Sequence, residues 1–482
     1  MNSRMIDFQE IYRPYNPWWN EPNANLGDIP EFHRPIFDQL VRDLVEIPQM
    51  LSITGPRRIG KSTLLQQLIR DLINKGVAPD RIVYYSFDDP ILSSQKIQVD
   101  ELIDTTMRWI YDLHQNELTY LFFDEIQRLE RWELYLKKYY DLRYPIRVII
   151  SGSASSPIFK KSRESLLGRV KDYHLFPFSF REYVLFSLSK NEQLCDEVNL
   201  VYEAGKTLQG LIVEEPSNGV DEIPVMPLSQ ELRTELDTLL QKYFLEGGFP
   251  EVWTLPNWVA KQEYLYDNQV KKVIYEDLII AAEFRKPELL KNFYISLLEM
   301  PGREVNVQAI ANETGIGVLQ IEKYLPLLEM TDLVYKISKF RSAPLRVRKG
   351  LMKFYLVDLA LRNAVLRLDE SLLKNDDILG LYAENLVFLA LKKWRGTIQL
   401  DYYRERHGEV DFIVHTAPHK FLPIEVKYRN EIKADDFDTL KKFEKKHQLA
   451  AGPIMVTKHW NDYWKRENTY LFPLPWFLLL FD

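Results

Sequence analysis

A nine-residue stretch near the amino terminus has the residue types that bind phosphate. It consists of Gly55, Pro56, Arg57, Arg58, Ile59, Gly60, Lys61, Ser62 and Thr63. The stretch satisfies G-x-x-x-x-G-K-[ST] at every fixed position, a pattern in which backbone N–H groups surround a phosphate at a helix N-terminus. The lysine then reaches the β- and γ-phosphates and the next hydroxyl contacts Mg²⁺. We therefore predict that these residues bind a nucleotide, with Lys61 catalytic and Ser62 a Mg²⁺ ligand.

Two adjacent acids follow an apolar run further along the chain. Residues 118–123 are almost continuously apolar, and Asp124 and Glu125 come directly after them. Such runs are typical of buried parallel strands, whose carboxyl ends form the edge where ligands bind. Asp124 is therefore expected beside the phosphate loop, where its carboxylate would hold Mg²⁺. Glu125 is expected to polarise the attacking water, so both acids are predicted to be catalytic.

Two further positions are candidates for the same reaction. Ser153 lies in a polar stretch after the predicted strand 146–150, where it would sense the γ-phosphate or orient the water. Serine and glycine clusters are equally common in ordinary loops. Arg169 follows a glycine and could stabilise transition-state charge in its own or a neighbouring subunit. The alternative for Arg169 is a solvated or ion-paired surface side chain.

A second set of chemically competent residues lies near the carboxyl terminus. Asp411 and Glu425 fall on the two strands of an apparent hairpin, and the spacing Glu425-x-Lys427 puts both side chains on one face. Two carboxylates and a lysine that converge can hold Mg²⁺ and activate water for phosphodiester hydrolysis. Glu384, on a preceding predicted helix, would add a ligand. The alternative for Glu-Val-Lys is an ordinary exposed strand face.

The elements that must position these residues change character along the chain. From 34 to about 181, strand and helix signals alternate, which predicts a parallel sheet with crossover helices. The first 30 residues indicate an extended arm packed by aromatic side chains. Residues 188–228 are rich in acids and predict an exposed insertion or lid, and helical patterns follow to 280. The last apolar run, 470–481, is interrupted by two prolines and suggests a closing strand.

Residues from 287 onward predict a winged helix-turn-helix. Residues 307–316 predict a short helix and a glycine-containing turn, and a second helix at 318–329 precedes a predicted hairpin. Pro326 is expected to kink or end the second helix. Basic residues gather in the wing and would contact a duplex backbone: Lys339, Arg341, Arg346, Arg348 and Lys349. Because the exposed face of the second helix is partly acidic, a relay or packing module is the alternative.

Composition limits the class of protein. At 482 residues the chain is too long for one core, and no apolar run reaches the ~18 residues of a membrane span. A single cysteine rules out an intramolecular disulfide, which favours a cytoplasmic location. The net charge of −7 argues against a surface coated in nucleic acid, but not against local basic patches. We expect no membrane partner.

Together these motifs resemble a prokaryotic family that joins an AAA-type P-loop ATPase to a winged-helix segment and a C-terminal PD-(D/E)XK nuclease-like domain. The resemblance implies an α/β fold, ATP and Mg²⁺ at Lys61, Ser62 and Asp124, and nuclease-type positions at Asp411, Glu425 and Lys427. The expected segments are an aromatic arm (1–33), the ATPase core (34–187), an acidic insertion and helical lid (188–286), a winged helix (287–360) and the nuclease-like domain (361–482).

Three functions follow as hypotheses. The first is an ATP-hydrolysing switch or motor that acts on double-stranded DNA through a metal-dependent nuclease domain, with a second Mg²⁺ or Mn²⁺ there. The second is an ATP-regulated DNA- or protein-binding switch whose nuclease-like domain is non-catalytic. The third is a chaperone-like ring subunit, which would be a homo-oligomer.

Overall fold

The computed structural model describes residues 11–21, 29–90, 103–108, 117–129, 131–153, 166–214, 228–277, 287–299, 301–341, 351–394, 399–406 and 408–481. The chain divides into two units. One unit comprises Met1–Phe176 and Glu276–Phe284, and the other comprises Pro177–Tyr275 and Arg285–Asp482. A five-stranded sheet lies in the first unit and a nine-stranded sheet in the second.

The first unit contains the predicted parallel sheet. Its strands are β1 (Met50–Gly55), β2 (Ile82–Ser86), β3 (Thr119–Asp124), β4 (Ile146–Ser153) and β5 (Val170–His174). Their order is β2-β3-β4-β1-β5, and every neighbouring pair is parallel. The strands β1 and β3 are buried along their whole length, as expected for a sheet covered on both faces.

Helices precede and separate the strands of this sheet. Ile36–Glu46 comes before β1, Lys61–Asn74 follows β1, Trp132–Asp141 follows β3, and residues 103–108 are also helical. In the helix after the phosphate loop, Leu64, Leu65 and Leu68 are buried, so the helical spacing in the sequence identified the packed face.

The amino-terminal arm packs on the edge strand β2. Within its described part the arm forms two short 3₁₀ helices, Arg13–Tyr15 and Pro17–Trp19, rather than extended chain. The indole N–H groups of Trp18 and Trp19 both donate to the carbonyl of Ile82, at 3.0 and 2.9 Å. The aromatic side chains therefore anchor the arm, as the sequence predicts.

The second unit is organised around a mixed sheet. Its strands are β6 (Glu304–Val305), β7 (Val334–Lys339), β8 (Met352–Leu356), β9 (Gln399–Glu405), β10 (Gly408–Ala417), β11 (Lys420–Lys427), β12 (Ile454–Thr457), β13 (Trp464–Arg466) and β14 (Thr469–Pro473). The order is β13-β14-β12-β11-β10-β9-β7-β8-β6. The predicted hairpin that carries Asp411 and Glu425 is β10 and β11, which pair antiparallel.

The hairpin that follows the two short helices belongs to the same sheet as the carboxyl-terminal strands. Strand β7 pairs antiparallel with β8 and parallel with β9, where Ser338 and Lys339 lie opposite Asp401 and Tyr402. The segment predicted as a wing therefore continues the sheet that carries Asp411. The segment boundaries proposed from the sequence stay predictions.

Helices account for most of the remaining described chain of this unit. They are Phe180–Ser187, Glu192–Glu214, Gln230–Glu246, Pro250–Trp253, Trp258–Leu265, Pro287–Glu299, Val307–Thr314, Val318–Met330, Leu359–Leu366, Asp376–Lys393, Asp438–Glu444 and Leu474–Leu480, with π-helical turns at Tyr266–Lys271 and Val273–Asp277. In the described part of the chain, none of the helices is both long and apolar enough to cross a membrane.

Two local predictions differ from the structure, and a third lies partly outside the described residues. The predicted insertion or lid at 188–228 begins with a 23-residue helix, Glu192–Glu214, and residues 215–227 lie outside the described residues. The helix Val318–Met330 does not end at Pro326 but continues for four more residues. At the carboxyl end, β14 stops at Pro473 and the helix Leu474–Leu480 follows, because proline is well suited to the first turn of a helix.

Candidate functional site

The phosphate loop connects β1 to the helix that begins at Lys61. Two of its residues have left-handed backbone conformations, Arg58 with φ 63° and Gly60 with φ 90°. Alternation of right- and left-handed residues turns successive N–H groups toward one point and forms an anion-binding concavity. Since Gly60 also caps the helix Lys61–Asn74, the positive end of that helix adds to the field at this point.

Gly55 is required where β1 enters the loop. Its φ is +147°, and a Cβ atom there would lie 2.2 Å from the carbonyl oxygen of Leu175. Any larger residue would therefore push β1 away from the chain that follows β5. The side chain of Ile59 is fully buried and also packs against Gly55, so the loop is anchored at both its start and its middle.

The side chain of Lys61 lies under the loop. It is only 5% exposed, and its Nζ donates to the carbonyl oxygens of Gly55 at 3.2 Å and Pro56 at 2.7 Å. These contacts hold the ammonium group beside the loop whose N–H groups would receive phosphate. The position is consistent with the role that the motif predicts for Lys61.

Asp124 lies beside the phosphate loop at the carboxyl end of β3. One carboxylate oxygen accepts hydrogen bonds from the hydroxyls of Ser62 at 2.5 Å and Tyr84 at 3.1 Å. The other accepts from the Ser151 hydroxyl and from the backbone N–H of Glu125 at 3.1 Å. The side chain is therefore buried among neutral donors.

These oxygen atoms suit Mg²⁺. The cation prefers hard oxygen ligands and usually binds through one or two protein groups together with nucleotide phosphates. The hydroxyl of Ser62 and the carboxylate of Asp124 are such a pair and already touch each other. The residues present thus fit a Mg²⁺–ATP complex, with the loop for the phosphates and this pair for the metal.

Two contacts of Asp124 involve residues that the sequence analysis did not select. Ser151 contacts Asp124 from β4, and Tyr84 reaches it from β2. Strand register explains the contact with Ser151: β3 and β4 are parallel neighbours that pair Phe123 with Ile150, so the next residues along the two strands, Asp124 and Ser151, lie opposite each other. For Ser153 the structure describes the backbone, which ends β4.

Burial and the nearby carboxylate both act on Tyr84. They raise the pKa of its hydroxyl well above the usual value, with burial the larger cause and the charge of Asp124 the next. Tyr84 is therefore a permanent hydrogen-bond donor to Asp124.

Glu125 follows with a left-handed backbone, φ 52°, which turns the chain sharply after β3. Its half-buried carboxylate accepts a hydrogen bond from the side-chain amide of Gln127. Gln127 is thus a residue that orients the predicted water-polarising group.

Arg169 lies at the amino-terminal end of the strands of this sheet, and the phosphate loop lies at their carboxyl-terminal end. It precedes β5, and its carbonyl accepts from the N–H of Met50, the first residue of β1. Because the six residues of β1, Met50–Gly55, span five residue-to-residue steps, its ends are about 17 Å apart. The guanidinium forms two hydrogen bonds with Asp141, at 2.7 and 3.1 Å, and this pairing raises the pKa of Arg169. The arrangement separates Arg169 from its own phosphate loop.

The predicted nuclease-type residues lie together in the second unit. Glu384, Asp411, Glu425 and Lys427 all line one cleft of about 680 Å³, a size typical of small-ligand sites. The helix Asp376–Lys393 supplies Glu384, and the hairpin β10–β11 supplies the others. The structure therefore brings together all four residues selected from the sequence.

Asp411 and Glu425 hold each other in place through the backbone. The N–H of Asp411 donates to Glu425 at 3.2 Å, and the N–H of Val426 donates to Asp411 at 2.9 Å. The ammonium group of Lys427 forms an ion pair with Glu425. Burial, followed by the charge of Asp411, raises the pKa of Glu425 to about 8.

The cleft contains a buried lysine that the sequence analysis missed. Lys353 is on β8, and its Nζ lies 3.0 Å from Glu384, 2.5 Å from Glu409 and 3.3 Å from Asp411. The hydroxyl of Tyr355, on the same strand, donates to Glu384 at 2.7 Å. Burial and then the charge of Asp411 raise the pKa of Glu384 to about 7. No local spacing signals this contact, because Lys353 precedes Asp411 by 58 residues.

The cleft does not present a ready-made metal site. Within the described ranges, no group of three or more His, Cys, Asp and Glu side chains is arranged to hold a metal ion. The carboxylates of the cleft instead contact Lys353, Lys427 and backbone N–H groups.

Comparison with protein families gives one match in the first part of the chain. Residues 48–184 match the AAA domain family, and this range includes the phosphate loop, Asp124 and Arg169. The match agrees with the prediction of an AAA-type P-loop domain. Residues 237–372 and 379–477 match two families described as domains of unknown function, DUF8612 and DUF4143.

Two curated proteins are similar over most of their length. An uncharacterized protein of Methanocaldococcus jannaschii is 25% identical over 402 residues, which cover 80% of this chain and 78% of that protein. An uncharacterized protein of Haemophilus influenzae is 24% identical over 397 residues, covering 80% and 84%.

Solved structures give weaker matches. PCH-2 of C. elegans has a TM-score of 0.28 at 15% identity, with 48% of this chain and 61% of that chain covered. The S. cerevisiae Hsp104–ADP complex has a TM-score of 0.28 at 15% identity, with 63% and 58% covered. The replication initiator DnaA bound to AMPPCP and single-stranded DNA has a TM-score of 0.25 at 14% identity, with 61% and 86% covered. The chain spans less than two thirds of the first two structures.

Proposed function

We propose that the chain is a Mg²⁺-dependent ATPase that works as a nucleotide-driven switch or motor and acts on double-stranded DNA through a nuclease-like carboxyl-terminal domain. The observation that carries the ATPase part is the contact between Ser62 and Asp124 beside the phosphate loop. It joins the two predicted Mg²⁺ ligands from separate elements, and Lys61 lies under the same loop.

The DNA part rests on the carboxyl-terminal unit. The cleft with Glu384, Asp411, Glu425 and Lys427 supports a PD-(D/E)XK nuclease-like assignment, and the helices 307–314 and 318–330 followed by β7 and β8 support a winged helix. Of the basic residues in the wing, Arg346, Arg348 and Lys349 lie outside the described residues. Lys441 lies in the helix Asp438–Glu444, and Lys446 lies two residues after it. These lysines form exposed ion pairs with Glu467 and Glu405, respectively. Such pairs are weak and would exchange readily for phosphate.

We also propose a homo-oligomer. Arg169 is separated from its own phosphate loop by the length of β1, so a contribution to hydrolysis would reach the site of a neighbouring copy. Its pairing with Asp141 would be exchanged for the nucleotide there. A mass measurement with and without ATP tests the assembly.

The first experiment measures ATP hydrolysis by wild type and Lys61→Ala, with and without Mg²⁺. Lys75→Ala is the matched control, because Lys75 ends the same helix region in an exposed pair with Asp71. We expect turnover that requires Mg²⁺ in wild type and Lys75→Ala, and none in Lys61→Ala. Retained turnover in Lys61→Ala would overturn the ATPase proposal.

The second experiment measures cleavage of linear and supercoiled double-stranded DNA with Mg²⁺ or Mn²⁺, with and without ATP. Wild type is compared with Asp411→Ala, with Lys61→Ala and with Glu405→Ala, an exposed control in the same unit. Cutting that is lost in Asp411→Ala and retained in Glu405→Ala would support a nuclease. Its dependence on ATP and on Lys61 would show coupling between the two sites.

One observation favours a second candidate function. The ammonium group of Lys353 lies among the carboxylates of the cleft, where a metal-dependent nuclease needs its cation. A non-catalytic domain that docks DNA or a protein under the control of ATP would retain this arrangement. Absence of cutting by a wild-type protein that hydrolyses ATP supports this candidate.

A further inference from the structure

Lys353 is buried in the middle of an acidic cluster formed by Glu384, Glu409 and Asp411. Its side chain is 2% exposed, and its Nζ is within 3.3 Å of a carboxylate oxygen of each acid. An ammonium group has three N–H donors, so three carboxylates satisfy it completely. The ammonium group of Lys353 is therefore the centre of the cluster and contacts all three of its carboxylates.

The backbone around the cluster encloses these groups. Gly302 has φ +71°, and a Cβ there would lie 3.0 Å from both carboxylate oxygens of Glu384. Its N–H donates to the carbonyl of Phe354, the residue after Lys353, at 2.8 Å. Gly302 thus allows β8 and Glu384 to pack close together. This packing restricts movement of the Lys353 side chain out of the cluster.

Charge explains why the arrangement is stable. A buried charge is costly unless opposite charges and hydrogen bonds compensate it. Three carboxylates within 3.3 Å of Lys353 Nζ supply that compensation, from Glu384, Glu409 and Asp411. The ammonium group in turn supplies one positive charge to carboxylates that otherwise repel one another.

The remaining carboxylate oxygens of the predicted metal site also have partners. One oxygen of Asp411 contacts Lys353 and the other accepts the N–H of Val426. Glu425 accepts the N–H of Asp411 and pairs with Lys427. Glu384 and Asp411 both direct an oxygen at Lys353 Nζ, which is the point where a shared divalent cation would have to lie. With the lysine in place, the residues do not fit a metal.

We propose that the Lys353 ammonium group takes the place of a divalent cation in the cluster of Glu384, Glu409 and Asp411. In the native chain this cluster then binds no Mg²⁺ or Mn²⁺, and removal of the lysine charge exposes a latent divalent-cation site. The inference rests on the proposed nuclease-like assignment for the choice of competing cation, and it makes the domain non-catalytic while Lys353 stays in the cluster.

The test measures Mn²⁺ binding to the nucleotide-free full chain by electron paramagnetic resonance. Wild type, Asp411→Asn, Lys353→Met and Lys353→Met/Asp411→Asn are compared, since methionine keeps most of the aliphatic stem and removes the charge. We expect wild type and Asp411→Asn to bind the same amount of Mn²⁺. We expect Lys353→Met to gain a single Mn²⁺ per chain, and the double variant to lose that gain.

Two results would overturn the inference. One is Mn²⁺ bound by wild type and lost in Asp411→Asn, and the other is a folded Lys353→Met that gains none. If Lys353→Met does not fold, Lys353→Met/Glu409→Gln removes one charge of each sign and is expected to gain the Mn²⁺ instead. Failure of that variant to gain it would also count against the inference.

ATP hydrolysis by the same preparations separates this inference from the proposed function. Absence of ATP hydrolysis by wild type would contradict the ATPase proposal and would not affect the comparison of Mn²⁺ binding among the variants. Asp411-dependent DNA cleavage by wild type with Mg²⁺ would support the nuclease proposal and overturn the role of Lys353.

Discussion

The two candidate sites treat a buried carboxylate in opposite ways. Asp124 in the first unit is surrounded by neutral donors, namely three hydroxyls and one backbone N–H. Asp411 in the second unit faces the ammonium group of Lys353. Neutral donors orient a carboxylate and leave its charge for a metal, whereas a lysine neutralises that charge. The comparison indicates that the first site is prepared for a cation and the second already contains one.

A third carboxylate extends the comparison. Asp358 is buried in the second unit, and among the described residues its carboxylate accepts hydrogen bonds from two backbone N–H groups, those of Gly248 at 2.6 Å and Ala360 at 2.8 Å. Burial raises its pKa to about 7 despite these hydrogen bonds. Hydrogen bonds alone therefore do not offset burial for Asp358. This explains why an acidic cluster such as that around Asp411 needs a lysine.

Removing the lysine charge should have the largest effect on stability. Loss of one partner from a buried ion pair leaves uncompensated charge and costs about 3–5 kcal/mol. We expect Lys353→Met to lower the free energy of unfolding by this amount in denaturant titrations without metal. The control is Lys336→Met on the adjacent strand, whose pair with Glu329 is partly exposed and is expected to contribute ~1 kcal/mol or less. Equal losses in the two variants would contradict a special role for Lys353.

Removing the charge of Asp124 should affect activity instead of stability. Asparagine keeps the shape of the side chain and can still accept hydroxyl hydrogen bonds, but it provides a poorer Mg²⁺ ligand. We expect Asp124→Asn to lower kcat for ATP hydrolysis about 10²–10³-fold, comparable to loss of one transition-state stabilising group. Asp88→Asn, an exposed acid paired with Arg128, is the control. Normal turnover in Asp124→Asn would show that Asp124 does not act in hydrolysis.

Asp358 predicts how stability depends on pH. Because its pKa rises from 3.8 to about 7 on folding, the folded chain holds one more proton than the unfolded chain between these values. Stability contributed by this group is complete below pH 3.8 and declines as pH rises toward 7, by at most about 1.4 kcal/mol per pH unit. Asp358→Asn cannot titrate, so its stability relative to wild type should improve with pH over this window. A difference that does not change with pH would refute this account.

The sequence predicted best what depends on neighbouring residues. The phosphate loop, the helix after it and the apolar strand before Asp124 are local patterns, and the segment matches the AAA domain family. The hairpin with Asp411, Glu425 and Lys427 is also local, because its strands are joined by a short turn. Alternation along each strand then fixes which side chains share a face.

Contacts that depend on strand order and register could not be predicted from the sequence. The contact between Ser151 and Asp124 depends on the register between β3 and β4, and a shift of one residue in that register would place a different side chain opposite Asp124. Lys353 required the knowledge that β7 and β8 continue the sheet of β9 and β10, although β8 precedes β10 by more than fifty residues. The helix through Pro326 shows that tertiary packing can override a local helix-ending signal, since Leu325 and Leu328 on its two sides are buried.

The smallest expected effect concerns the third hydroxyl at Asp124. Tyr84→Phe removes the 3.1 Å hydrogen bond to the carboxylate and keeps the aromatic ring packed. One such bond is worth about 0.5–1.5 kcal/mol, so ATP turnover should fall roughly 2–10-fold if the bond orients Asp124 during hydrolysis. Tyr85→Phe is the matched control, because the hydroxyl of Tyr85 donates to Asp89 and not to Asp124. If both variants lose the same activity, the effect comes from packing of β2, and orientation of Asp124 belongs to Ser62 and Ser151 alone.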